Sequence, residues 1–79
     1  NKLPQELINL KVNDPQRVIM DSRIRSEVSK IENKLGKEGR VLLRPSGTED
    51  LIRVMVEANT EKLAKDLASE LAQFIQQAA

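Results

Sequence analysis

Four stretches of this chain carry a clear hydrophobic period, and the period switches from each to the next. Leu7-Ile8-Asn9-Leu10-Lys11-Val12 alternates, with Ile8, Leu10 and Val12 on one side and Leu7, Asn9 and Lys11 on the other. Ile24, Val28, Ile31 and Leu35 then recur at steps of four, three and four. Alternation returns in Leu51 to Glu57, where Ile52, Val54 and Val56 share a face and Leu51, Arg53, Met55 and Glu57 share the other. From Leu63 the step is four, through Leu67, Leu71 and Ile75, with Ala64, Ala68, Ala72 and Phe74 beside them. A period of two buries one face of a strand, and a period near 3.6 buries one stripe of a helix; neither pattern serves the other element. The chain must therefore fold as strands and helices in alternation.

The residues between these stretches punctuate them. Asp14 is a good N-cap and Pro15 suits a first helical position, which predicts a short helix over Gln16 to Met20. Asp21-Ser22 offers a second cap before the longer helix. Gly36 sits one past its stripe, where a left-handed C-cap is expected, and Gly39 loosens the connection that follows. Arg40-Val41-Leu42-Leu43 is too short to assign by period alone, but the alternating neighbour across the next turn predicts a hairpin. Thr60 is expected to cap the last helix, with Glu61 in its first turn and a Glu61–Lys65 pair on its surface. The order is β-α-β-β-α. Setting the first strand beside the third lets all three apolar faces meet both main helices on one side. The expected fold class is α+β, a two-layer sandwich with a mostly antiparallel sheet, in a single domain over residues 1–79.

Composition narrows the function. With 79 residues the core is marginal, so the domain is either very regular or part of something larger. A chain that opens on Asn1 rather than Met fits a fragment or a processed protein. A net charge of +1 and one aromatic residue do not suit a nucleic-acid partner, and Lys2, Lys11, Arg17, Lys30 and Lys62 are scattered along the sequence. There is no cysteine for disulfide or thiol chemistry, and no histidine to serve as general base or metal ligand. No apolar run is long enough to cross a membrane and no signal pattern opens the chain, so no membrane partner and a cytoplasmic setting are expected.

One stretch carries chemistry. Arg44-Pro45-Ser46-Gly47-Thr48-Glu49-Asp50, read as the hairpin loop, holds a fixed cation, two hydroxyls and a glycine. Arg44 can present a fork to two phosphate oxygens. Ser46 and Thr48 can donate hydrogen bonds, and a positive φ at Gly47 would let the N–H groups of Gly47 and Thr48 converge on an anion as a nest. Arg53, on the outward face of the next strand, can reach back to the same anion. The plain alternative is that Pro45-Ser46-Gly47 is ordinary turn chemistry. Glu49 and Asp50 repel phosphate, and they are expected either to orient Arg44 or Arg53 or to face a hydroxylated or cationic part of a ligand. Asp21, Glu27 and Glu32 lack metal-ligand spacing. Glu49 and Asp50 make a poor acid–base pair, since neighbours on a strand point to opposite faces.

With these residues in view, the chain resembles the C-terminal domain of the α-D-phosphohexomutase superfamily, most of all its bacterial phosphoglucosamine mutases. The likeness rests on Arg44-Pro45-Ser46-Gly47-Thr48-Glu49 and Leu51-Ile52-Arg53-Val54-Met55-Val56-Glu57-Ala58, with support from Leu3-Pro4-Gln5 and Gly39-Arg40-Val41-Leu42. Where the family has proline after the glutamate, this chain has Asp50. The resemblance implies a small α+β domain resembling TATA-binding protein, the fourth of four around a cleft. It implies that Arg44, Ser46, Gly47 and Thr48, with Arg53, grip the phosphate of a phosphosugar substrate, and that this domain is non-catalytic with no cofactor of its own. A phosphoserine and Mg²⁺ belong, on the same resemblance, to the parent mutase's other domains, which are its partners. A sister mutase acting on glucose or mannose phosphates is one alternative. A non-catalytic protein-interaction module, marked by an exposed apolar patch around Leu51 and Met55, is another.

Overall fold

A computed structural model describes residues 3–78. Lys2 lies outside the described residues. Strand β1 (Gln5–Lys11) is followed by helix α1 (Pro15–Met20), helix α2 (Ser22–Leu35), a 3₁₀ turn (Gly36–Glu38), strands β2 (Arg40–Pro45) and β3 (Leu51–Glu57), and helix α3 (Glu61–Ala78). The sheet order is β1-β3-β2, with β3 antiparallel to both neighbours. The expected sandwich forms: α3 packs on β1 and β3, while α1 and α2 pack on β2.

The caps act as the sequence predicts. Asp14 accepts from the N–H of Arg17 at 3.3 Å, Asp21 from that of Arg23 at 2.8 Å, and the Thr60 hydroxyl oxygen from that of Leu63 at 3.0 Å. Between the layers, Ile24, Ile31, Ile52, Val54, Val56, Leu71 and Ile75 are sealed from solvent. Burial of each such side chain is worth about 1.5–3 kcal/mol. The inward set of β3 is the one that its alternation predicts, which fixes its register, since a slip of one residue would turn these side chains outward.

Several local expectations need correction. Leu63 is 39% exposed, and Ala64 takes its place in the core. A four-residue step overshoots a full helical turn by about 40°, so a stripe of three such steps drifts off the buried face. Gly36 has the positive φ of a C-cap, +64°, but its ψ of −140° is not left-handed helix; the chain tightens into the 3₁₀ turn instead. Gly39 does not loosen anything. A Cβ there would run into the backbone carbonyl of Glu57 and stand 3.3 Å from Leu35 Cδ2, so glycine lets the start of β2 close on β3. On α3 the surface pair is Lys62–Asp66 at 3.0 Å, rather than Glu61–Lys65.

Candidate functional site

The helices cover one face of the sheet and leave the other open, and on the open face residues line up in rows across the three strands. At one end Glu57 stands between Gln5 and Arg40. Its carboxylate accepts from Gln5 Nε2 at 2.7 Å and from Arg40 Nε at 3.0 Å, so this row neutralises itself. The next outward row is apolar: Leu7, Met55 and Leu42, with Leu7 58% exposed.

The third row holds the candidate site. Arg53 lies opposite Arg44 on one side and Asn9 on the other. Strand β2 runs on through Arg44 and Pro45, so Arg44 is a strand residue, not part of the loop as its sequence suggested. Two arginines directly opposite one another destabilise a sheet by up to about 1 kcal/mol. Among the described residues neither forms an ion pair. The same sheet face supplies a central carboxylate two rows away and none here.

Beyond this row the hairpin closes through Ser46–Asp50. The N–H of Ser46 donates to the Leu51 carbonyl at 3.0 Å, which extends the ladder one step past β2. The Ser46 hydroxyl oxygen accepts from the N–H groups of Thr48 at 3.4 Å and Glu49 at 3.3 Å. With both lone pairs so engaged, the hydroxyl has its hydrogen left to donate. The Asp50 carbonyl accepts from the N–H of Val12 at 3.0 Å, tying the loop to the end of β1.

The expected nest is not formed. Gly47 has no positive φ, and the N–H of Thr48 turns in to Ser46 instead of out to solvent. Gly47 and Thr48 are exposed at the loop tip, and a Cβ on Gly47 would meet nothing within 4 Å. The fold therefore leaves the tip bare without needing glycine for backbone strain. Glu49 and Asp50 are exposed and, among the described residues, pair with neither Arg44 nor Arg53. Chemically, the site is an accessible pair of cations beside a hydroxyl donor, a set suited to an anion.

Among the described residues, the one strongly shifted carboxyl lies apart from this site. Asp21, at the start of α2, is lowered to about 2 chiefly by the Arg23 side chain, whose Nη2 bonds it at 3.0 Å, and by the Arg23 backbone N–H. No group of three His, Cys, Asp or Glu residues stands together to hold a metal ion among the described residues, so the Mg²⁺ that the resemblance assigns elsewhere has no fitting ligand set here. No described helix is long and apolar enough to cross a membrane.

Sequence reasoning gathered Arg44, Ser46, Gly47, Thr48 and Arg53 as neighbours along the chain. It missed Asn9 and Lys11, which the register carries to the same face from forty residues away. Their outward parity in β1 and the place of β1 beside β3 were readable; the residue register between the two strands was not.

The family model for the phosphoglucomutase/phosphomannomutase C-terminal domain matches residues 7–74. The phosphoglucosamine mutase of Rhodococcus erythropolis is 53% identical over 73 residues, covering 92% of this chain and 16% of that protein. The phosphoglucosamine mutase of Natranaerobius thermophilus is 46% identical over 78 residues, covering 99% of this chain and 18% of that protein. The chain thus spans less than a fifth of the length of these relatives. Among solved structures, the N-acetylphosphoglucosamine mutase of Aspergillus fumigatus aligns with a TM-score of 0.84 at 26% identity, over 99% of this chain and 16% of that one. The same enzyme in complex with GlcNAc-6P and magnesium aligns with a TM-score of 0.82 at 26% identity, again over 99% and 16%.

Proposed function

The chain belongs to the phosphoglucomutase/phosphomannomutase C-terminal domain family, and from that premise we propose that it is the substrate-phosphate grip of a phosphoglucosamine mutase. The parent enzyme, on this reading, interconverts glucosamine 6-phosphate and glucosamine 1-phosphate in the cytoplasm. The observation that carries the proposal is the Arg44–Arg53 opposition on the open face, two cations without a carboxylate, beside a Ser46 hydroxyl left with a hydrogen to donate. Such an arrangement costs stability when empty, and a bound anion removes that cost.

A mutase that moves phosphate between the 1- and 6-positions must hold its intermediate in two orientations. A grip on whichever phosphate is idle positions the other for transfer. In that role Arg44 and Arg53 bind the idle phosphate from the sheet, Ser46 and Thr48 donate from the hairpin, and bare Gly47 lets the ligand approach the tip. A grip mounted on its own domain can close over the intermediate and exclude water. The transfer itself is assigned to groups outside this chain, which should not turn over substrate alone. Arg44→Ala should lower kcat/KM of the parent enzyme by the equivalent of about 2–3 kcal/mol, the scale of a charge-assisted hydrogen bond.

A ¹H–¹⁵N NMR titration of this chain with glucosamine 6-phosphate tests the reading, with glucosamine as control at matched ionic strength. Saturable shifts at Arg44, Ser46, Gly47, Thr48 and Arg53, with the phosphate only, are expected. Amides that stay still up to about tens of millimolar, the weak end of a single-phosphate site, would overturn it. A second reading, a protein-interaction module, draws on the apolar Leu7–Met55–Leu42 row, which is exposed at Leu7 and Leu42 and half-buried at Met55. It predicts no response to either sugar.

A further inference from the structure

The hairpin is not the only element at this end of the open face. Lys11, the last residue of β1, lies opposite Leu51, and Leu51 accepts the Ser46 N–H from the other side. Lys11 and Ser46 therefore flank one residue in the row next to Asn9, Arg53 and Arg44. Outward parity in β1 is shared by Leu7, Asn9 and Lys11, so Lys11 and Arg53 are diagonal neighbours on one face, about 7–8 Å apart at the backbone. The residue after Lys11 is the one bonded to the loop, through Val12 N–H and the Asp50 carbonyl at 3.0 Å. The end of β1 thus moves with the hairpin.

Lys11 is exposed and forms no ion pair among the described residues. A cleft of about 670 Å³ opens beside it, bordered by Asp14 and Asp21, and neither carboxylate forms an ion pair with Lys11. Asp14 caps α1, and Asp21 caps α2 and pairs with Arg23. Among the described residues no carboxylate pairs with Lys11, and the anion grip is its neighbour.

Building on the phosphate-grip reading above, we propose that Lys11 is a third cation of the site, contacting the same phosphomonoester dianion from the β1 side. Three positive charges around one anion favour a dianion over a singly charged group such as a carboxylate or a phosphodiester. An ammonium on a flexible stem supplies this as a point charge, where the two arginines supply fixed forks. The other use of an edge-strand lysine is to discourage strand addition along β1. That use would leave phosphate affinity untouched.

The test is a set of titrations of this chain with glucosamine 6-phosphate and with inorganic phosphate at fixed ionic strength, following NMR amide shifts. The variants are Lys11→Gln, Lys11→Arg, Arg44→Ala and Lys30→Gln. Lys30 lies on α2, in the layer behind the sheet, and controls for loss of one net charge. Amide dispersion reports whether each variant is folded. Lys11→Gln should raise Kd three- to tenfold for both ligands, with Lys11→Arg and Lys30→Gln within twofold of the parent chain. If Lys11→Gln matches Lys30→Gln while Arg44→Ala loses binding, the Lys11 assignment is wrong and the phosphate grip stands. If Arg44→Ala also binds as the parent does, both are wrong.

Discussion

Replacing Arg53 with glutamine should stabilise the free protein and destabilise it relative to its parent when ligand is present. Arg53 and Arg44 are in register on the open face and, among the described residues, neither forms an ion pair. With charge centres about 7 Å apart, two unit charges in water repel by roughly 0.6 kcal/mol. At 0.1 M salt a Debye length of about 10 Å halves this to roughly 0.3 kcal/mol, and at 1 M, with about 3 Å, less than about 0.1 kcal/mol is left. Glutamine keeps a polar side chain and removes the charge, so Arg53→Gln should gain about 0.5 kcal/mol at 10 mM salt and almost nothing at 1 M. Ligand reverses the order. At twenty times Kd the parent gains about 1.8 kcal/mol, whereas a variant with a tenfold weaker site gains only about 0.6 kcal/mol. The assay is urea unfolding followed by far-UV circular dichroism, since the chain has no Trp or Tyr. Melts are run with and without glucosamine 6-phosphate at matched ionic strength. Arg40→Gln, which breaks the Arg40–Glu57 pair, is the control and should show no gain. An Arg53→Gln variant less stable than its parent in both conditions would refute the reasoning, as would equal stabilisation of the two proteins by ligand.

Three further outcomes follow from the geometry. Ser46→Ala removes a donor and the acceptor of two long loop hydrogen bonds. It should weaken phosphate binding about fivefold, near 1 kcal/mol, and cost less than about 0.5 kcal/mol in unfolding free energy; a calorimetric Kd unchanged from the parent would remove Ser46 from the site. Gly39→Ala drives a Cβ into the Glu57 carbonyl and should cost about 2–3 kcal/mol in urea melts, so a neutral result would show that β2 can shift freely. Asp21 is lowered to about 2 in the folded chain from an ordinary value of 3.8, so its contribution is present above that ordinary value and is lost as pH falls toward 2. Asp21→Asn keeps a good cap and removes the charge, so its stability should change less than the parent's between those pH values, and parallel profiles would contradict the assignment.

The sequence alone determined the element order, the fold class and which side of β1 and β3 is buried. Period is a property of neighbouring residues: alternation in Ile52, Val54 and Val56 needs no knowledge of what lies opposite. Caps are local for the same reason, and Asp14, Asp21 and Thr60 each accept from an N–H two or three residues on. The residues proposed to bind an anion stood out as candidates too, because four of the five are consecutive but for one proline. What only the tertiary structure decided was the register across strands. Period and strand order assign faces and neighbouring strands but not which residues stand opposite, so only the register sets Arg53 between Arg44 and Asn9 and brings Lys11 beside the hairpin. The limit of β2 was decided in the same way, since Arg44 joins a strand because a partner in β3 accepts it into the ladder. Gly39 shows the point at the scale of one atom. Its need for no side chain comes from the Glu57 carbonyl, eighteen residues away in sequence and in contact only once the sheet has closed.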